Sequence, residues 1–167
     1  MIYADHAATT KISETAKLAM LSAMEKDWYN PSSLYTPGQQ ASGTLMDARV
    51  RIAHCLGCLP KEIYFTSGGS EADNQAILSA AAIGKRQGKM HIISTAFEHH
   101  AVLHTLKKLE KEGFEITLLD VGEKGIVSPV QVEKAIRPDT ILVTVMYANN
   151  EIGTIQPIRE IGAICRK

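Results

Sequence analysis

What this chain has little of narrows it first. Lys plus Arg and Asp plus Glu both number 18 in 167 residues, so no basic field draws nucleic acid and no acidic surplus suggests a cationic partner. The longest apolar runs, such as 80–83 and 141–143, fall far short of the roughly 18 residues that a membrane span needs. The start, Met1-Ile2-Tyr3-Ala4-Asp5, lacks the charged region and apolar core of a signal peptide, and a cytoplasmic protein is expected. Three cysteines, Cys55, Cys58 and Cys165, are too few for a disulfide framework and suit a reducing compartment. Cys55-Leu56-Gly57-Cys58 spells C-x-x-C, yet no second pair follows at zinc-site spacing and no strand–turn–helix pattern adjoins it. That pair is read as structural. Nothing near Cys165 in sequence would lower its pKa, which makes it a poor nucleophile. Internal repeats and low-complexity tracts are absent too. What remains, 45% hydrophobic and 22% charged residues, is the composition of one soluble globular domain with a small neutral ligand.

From about residue 62 onward, short β-branched runs alternate with helical stretches, as in βαβ crossovers. Strands are expected over 62–66, 90–95, 115–119 and 140–146. The last is nearly continuously apolar, which predicts a strand covered on both faces of a parallel sheet. The helix opening at Ser70 should stop at Gly88 and the one opening at His99 at Gly113, both suited to a left-handed residue just past a helix end. Ser128-Pro129-Val130-Gln131 combines a capping box with proline at the first helical position, and Arg137-Pro138 ends that helix. Residues 1–60 differ in kind. They hold an irregular polar start, helices over about 13–26 and 38–55, and the loop Asn30-Pro31-Ser32-Ser33. This section is expected to form an arm or partial lobe beside an α/β domain over 61–167, with a weak linker signal at Leu59-Pro60.

Three segments carry candidate chemistry. Phe65-Thr66-Ser67-Gly68-Gly69-Ser70-Glu71-Ala72-Asp73-Asn74 ends a strand-like run with small polar residues and opens a long helix. Free amide N–H groups and a helix dipole of roughly half a positive charge suit a phosphate there. A Ser-capped helix after a tight turn reads the same ten residues equally well. Phe97-Glu98-His99-His100 follows the second predicted strand, at the sheet edge where open α/β folds bind ligands. His99 is placed to stack on an aromatic ring or move a proton. His100 and His104 are four apart but have no third ligand, so no metal site is expected. Tyr147-Ala148-Asn149-Asn150-Glu151 follows the fourth strand, so a phosphate grip, an imidazole and an amide would share one crevice.

Taken together, Tyr3-Ala4-Asp5-His6-Ala7-Ala8-Thr9-Thr10, Asn30-Pro31-Ser32-Ser33, the 65–74 segment, Glu98-His99-His100-Ala101-Val102-Leu103 and Asn149-Asn150-Glu151-Ile152-Gly153-Thr154 resemble the NifS/IscS group of cysteine desulfurases, in order and along the whole chain. The resemblance implies the N-terminal part of the large domain of a fold-type-I, aspartate aminotransferase-like α/β enzyme of the class V aminotransferase type, with pyridoxal 5′-phosphate as cofactor. It further implies that Gly69 and Ser70 bind the cofactor phosphate, that His99 stacks on the pyridine ring and shuttles protons, and that Asn150 bonds the ring hydroxyl. Asn30, with Asn150, would lie on the substrate side, and the Tyr3–Thr10 strip would touch a second subunit. The implied reaction moves the sulfur of L-cysteine onto an enzyme cysteine as a persulfide and releases alanine, for an acceptor protein in iron-sulfur cluster or thio-cofactor assembly.

Some positions depart from the family pattern. His6 stands where asparagine is usual, Ser70 where threonine is, and Ala72 where serine is, all tolerable changes. Family members are more than twice as long. The aspartate on the pyridine nitrogen, the Schiff-base lysine, the persulfide cysteine and the arginine for the substrate carboxylate find no match among these residues. None of Lys61, Lys107 or Lys167 sits in a matching motif. The chain alone is therefore expected to be inactive, with cofactor binding weakened or lost, and to be one half of a split enzyme completed by a C-terminal chain, a truncated product, or a fragment rearranged or swapped into a homo-oligomer. In the family's larger sheet the first strand is separated from the next three by strands not found here, so 62–66 would lack a native neighbour and expose an edge. Two other functions stay open: a non-catalytic dimerisation or binding module, and another lyase of the same cofactor fold such as a selenocysteine lyase.

Overall fold

The computed structural model describes residues 2–166. They group into two compact units, Met1–Phe65 and Thr66–Lys167. The division falls a few residues beyond the linker signal at Leu59-Pro60.

The first unit is helical. Helix α1 (Glu14–Lys26) starts where the Ser13 hydroxyl accepts the Ala16 N–H at 3.2 Å, a side-chain cap for a donor the helix cannot pair itself. Helix α2 (Thr36–Leu56) has proline in its first turn and ends at Gly57, whose φ of 67° is the left-handed conformation that stops a helix. A 3₁₀ turn follows at Pro60–Glu62, closed by the Leu59 N–H on Glu62 Oε2 at 2.7 Å. The strand expected over 62–66 does not form. Ile63 is extended, at φ −89° and ψ 122°, but no strand among the described residues pairs with it to complete a ladder. Its carbonyl instead accepts from the Arg49 guanidinium, which also lies over the Phe65 ring at 4.8 Å.

The second unit is an α/β/α sandwich. Strands β1 (His91–Thr95), β2 (Glu115–Leu119) and β3 (Thr140–Val143) form a parallel sheet in the order β2-β1-β3. Helices α3 (Gly69–Arg86) and α4 (His100–Lys111) pack on one face. Ile77, Ala81, Val102, Leu106 and Leu109 enclose Ile92 there. Helices α5 (Pro129–Ala135) and α6 (Ile158–Cys165) cover the other face through Val132 and Ile161, against Val143 and Leu119. Period-2 alternation explains the split: Ile92 and Leu142 point to one side, Thr117 and Val143 to the other. Gly88 and Gly113 follow α3 and α4 at φ 70° and 96°, and the Ser128 N–H donates to Gln131 Oε1 at 3.0 Å at the start of α5, all as expected.

Only β1, the central strand, is buried along its whole length. β3 was expected to be covered on both faces and is half-buried, because no further strand among the described residues flanks its outer edge. It also bulges. Thr140 pairs with His91 and Leu142 with Ile92, leaving Ile141 to pack toward α3. A Cβ at Gly84 would stand 2.8 Å from Ile141 Cγ1 and 2.6 Å from the Lys89 carbonyl, so glycine lets α3 approach this bulge. β3 ends before Met146. The Thr144 N–H still reaches Ile93 at 2.9 Å, but the Met146 N–H goes to a side chain, Glu98.

Candidate functional site

The head of α3 is organised by residues that the phosphate-grip reading left unassigned. Glu71 Oε2 accepts the Ser67 N–H at 2.7 Å and the Ser67 hydroxyl at 2.6 Å, and these bonds hold the Glu71 carboxyl below its ordinary pKa. The N-cap is Gly68, so the Ser-capped alternative is not what forms. The amides of Gly69 and Ser70 sit in the first turn of an 18-residue helix, where no intrahelical acceptor exists. Gly68, Gly69 and Ser70 are all exposed, and apart from chain neighbours and the helix's own backbone nothing lies within 4 Å of where a Cβ would stand on either glycine.

At the carboxyl end of β1, His99 caps α4. Its Nδ1 accepts the Ala101 N–H at 3.1 Å, so the neutral ring carries its proton on Nε2, and the ring is exposed. Glu98, beside it, is 6% exposed. One oxygen, Oε1, accepts both the Thr95 hydroxyl and the Met146 N–H at 2.8 Å. Burial pushes the Glu98 carboxyl above its ordinary pKa; the two hydrogen bonds oppose that rise and the charge of Asp73 adds to it. His100 stacks on His104 at 5.4 Å between ring centroids. Among the described residues no group of three or more His, Cys, Asp or Glu is placed to hold a metal.

Beyond β3, Asn149 builds the turn that presents Asn150. Its buried Oδ1 accepts the Glu151 and Ile152 N–H groups at 2.9 and 3.0 Å, an Asx-type turn. Its Nδ2 donates to the Phe97 carbonyl at 3.3 Å. Gln156 anchors the far end of the turn, accepting the Val127 N–H at 2.9 Å and donating to the Gly125 carbonyl at 2.7 Å. Asn150 itself is exposed, with Nδ2 on Glu151 Oε1 at 2.9 Å.

Three side chains join these segments. Asn74 Nδ2 donates to the Ser70 carbonyl at 2.7 Å and the Ala101 carbonyl at 3.4 Å, while its Oδ1 accepts the Thr105 hydroxyl at 2.6 Å, tying α3 to the first turns of α4. Glu98 and Asn149 tie the β1–α4 loop to the chain after β3. The segments bearing Gly69, Ser70, His99 and Asn150 thus form one bonded cluster, although the one before Ser70 is not a strand as expected. Sequence reasoning passed over Asn74, Glu98 and Asn149. The available signal was position: Glu98 and Asn149 directly precede His99 and Asn150, and Asn74 lies one helical turn beyond Ser70. Asn30 takes no part in these bonds. In its own unit its Oδ1 accepts the Ser32 N–H at 2.9 Å, and its carbonyl would be 2.8 Å from a Cβ on Gly38.

The family model described as Aminotransferase class-V matches residues 2–167. The chain belongs to that family. Within it, this class-V chain is homologous to the IscS and NifS cysteine desulfurases over its whole length. It is 51% identical over 166 residues to the putative cysteine desulfurase IscS 1 of Bacillus subtilis (strain 168), covering 99% of this chain and 44% of that protein. It is 49% identical to the cysteine desulfurase IscS of Methanosarcina thermophila, covering 99% and 41%. Among solved structures, a NifS-like protein superposes with a TM-score of 0.92 at 36% identity, covering 97% of this chain and 44% of that one. A structure of SspA in complex with cysteine superposes at 0.91 with 39% identity, covering 97% and 46%. The class-V chain therefore spans less than half the length of these relatives, and its fold matches their N-terminal part.

Proposed function

We propose that these residues are the N-terminal, cofactor-binding portion of a pyridoxal-phosphate-dependent cysteine desulfurase. The observation that carries this reading is the bonded cluster of Asn74, Glu98 and Asn149, which links the segments bearing Ser70, His99 and Asn150. The donor set fits the cofactor. Two first-turn amides, a hydroxyl and a helix dipole on exposed residues suit phosphate oxygens; an exposed imidazole suits an aromatic face, and a carboxamide N–H suits a ring oxygen. When bound, pyridoxal phosphate supplies the electron sink for breaking bonds at the substrate α-carbon.

The chain's own residues do the rest. Gly69 and Ser70 bind phosphate oxygens through N–H groups and the Ser70 hydroxyl. His99 lies flat against the ring; with Nε2 already protonated, it takes up a further proton only at Nδ1, by giving up its cap bond to the Ala101 N–H. Asn150 exchanges its bond to Glu151 for one to the ring hydroxyl. Asn30 serves the substrate side, residues 1–60 form an N-terminal arm, and the cofactor domain spans 61–167. The substrate in this reading is L-cysteine, the product alanine, and the sulfur passes as a persulfide to an acceptor protein, with the enzyme working as a homo-oligomer.

Alanine release from L-cysteine, measured with pyridoxal phosphate on this chain joined to the C-terminal part of a relative, tests this directly. His99→Ala and Asn150→Ala should each lower the rate by about 100-fold or more, the scale expected for a positioned proton carrier or an oriented reactant. No alanine from the parent protein, or unchanged rates in both variants, would remove the reading.

A further inference from the structure

The cofactor reading assigns no task to Glu98, a carboxylate 6% exposed and placed between a ligand-facing residue and the end of β3. A buried carboxyl group is costly unless it makes bonds that justify its place. Here both bonds converge on Oε1. The Thr95 hydroxyl, on the last residue of β1, donates at 2.8 Å, and the Met146 N–H, at the point where β3 leaves the ladder, donates at 2.8 Å. Glu98 therefore replaces a missing rung: the Met146 N–H, which would continue the sheet, ends on this side chain. Its own main chain runs directly into His99. Three residues past Met146, Asn149 returns the connection through its bond to the Phe97 carbonyl at 3.3 Å. Two straps thus cross the same gap, and His99 and Asn150 each follow directly on the residue whose side chain makes one of them.

We infer that Glu98 is a positioning residue, whose bridge from Thr95 to Met146 sets His99 and Asn150 at a fixed separation before any cofactor arrives. The inference rests on the proposed cofactor site for its functional meaning but not for its structural content. Bridging needs an acceptor oxygen at this reach and does not need a charge. Glutamine supplies the same carbonyl oxygen at the same distance; aspartate, one methylene shorter, supplies the chemistry without the reach.

The test uses this chain joined to the C-terminal part of a relative, and two readouts. In the protein without cofactor, NMR signals of the His99 ring and the Asn150 side-chain amide should move in Glu98→Ala and stay near their parent positions in Glu98→Gln. Pyridoxal phosphate affinity should fall about tenfold in Glu98→Ala and stay within about threefold in Glu98→Gln. In a background carrying both His99→Ala and Asn150→Ala the further Glu98→Ala change should cost less than about twofold, because Glu98 acts through the two side chains it places. Equal losses in both backgrounds would mean a general structural role and overturn the inference, as would unmoved signals. If Glu98→Ala does not fold by circular dichroism, Glu98→Asp carries the same comparison, with moved signals and weakened affinity expected. Should the parent protein not bind pyridoxal phosphate at all, the cofactor reading fails, and the NMR arm alone decides: moved signals support the positioning role, unmoved signals end it.

Discussion

The two units handle their apolar residues in opposite ways. In the second, β1 is buried throughout, and Ile92, Ile93, Val127 and Val132 have no exposed surface. In the first, α1 buries nothing, although Leu18, Leu21 and Met24 recur at helical spacing and stand 58%, 47% and 65% exposed. The same kind of pattern therefore ends in a core in one unit and on the surface in the other. Periodicity states which face a helix would bury, and a second surface must supply what buries it. The α3/α4 face has the sheet. The α1 stripe has no such cover among the described residues.

The largest expected effect tests this contrast head-on. Leu106→Ala, at a side chain 2% exposed, should cost about 2–5 kcal/mol in urea unfolding, and Leu18→Ala less than about 0.5 kcal/mol. A large loss from Leu18→Ala would show that the α1 stripe is covered in solution and dissolve the contrast. Next comes the site turn. Asn149→Ala leaves the Glu151 and Ile152 amides without their acceptor and should cost about 1–3 kcal/mol, whereas Asn150→Ala, exposed and held only by Glu151, should leave the unfolding midpoint unchanged. Gly84→Ala should cost about 1–3 kcal/mol, since its Cβ would press on the Lys89 carbonyl and Ile141. Gly43→Ala in α2, with open space around it, should stabilise by about 0.5–1 kcal/mol.

The smallest effect is a pH dependence. His91 bridges Thr140 Oγ1 at 2.7 Å and Thr117 Oγ1 at 2.9 Å inside the sheet. Burial, and next the charge of Arg137, push its pKa below the ordinary histidine value, while Asp139 and Glu115 pull the other way. The folded chain therefore resists a proton that the unfolded chain accepts. Its contribution is complete above the ordinary value of about 6.5 and is lost as pH falls below that. Urea midpoints should drop more steeply below that pH in the parent than in His91→Gln; parallel curves would contradict this account.

Much of the second unit was readable in advance. Gly88, Gly113 and the Ser128-to-Gln131 box mark helix ends by local chemistry, which needs no tertiary partner. The 115–119 strand is apolar enough at alternate positions to be found by pattern alone. The misses share a cause. Residues 62–66 look like a strand, but a strand exists only through its neighbour, and here Arg49 takes the Ile63 carbonyl instead. The 140–146 run was read as doubly covered because apolar composition records a preference and not the sheet's actual edge. At the site, the exposed candidates Ser70, His99 and Asn150 drew attention through their residue type and position after an element. Asn74, Glu98 and Asn149 are polar residues whose role is a contact across 27, 48 and 52 positions of sequence, invisible until the loops are folded together.

The central claim is that three separated segments present one ligand site. Titrating this chain, isotopically labelled and joined to the C-terminal part of a relative, with pyridoxal phosphate, while following the Gly69 and Ser70 amides, the His99 ring and the Asn150 side-chain amide, tests it most directly. All four sets of signals should shift together and fit a single affinity. Signals that stay still, or that shift with separate affinities, would show that these residues do not form one site.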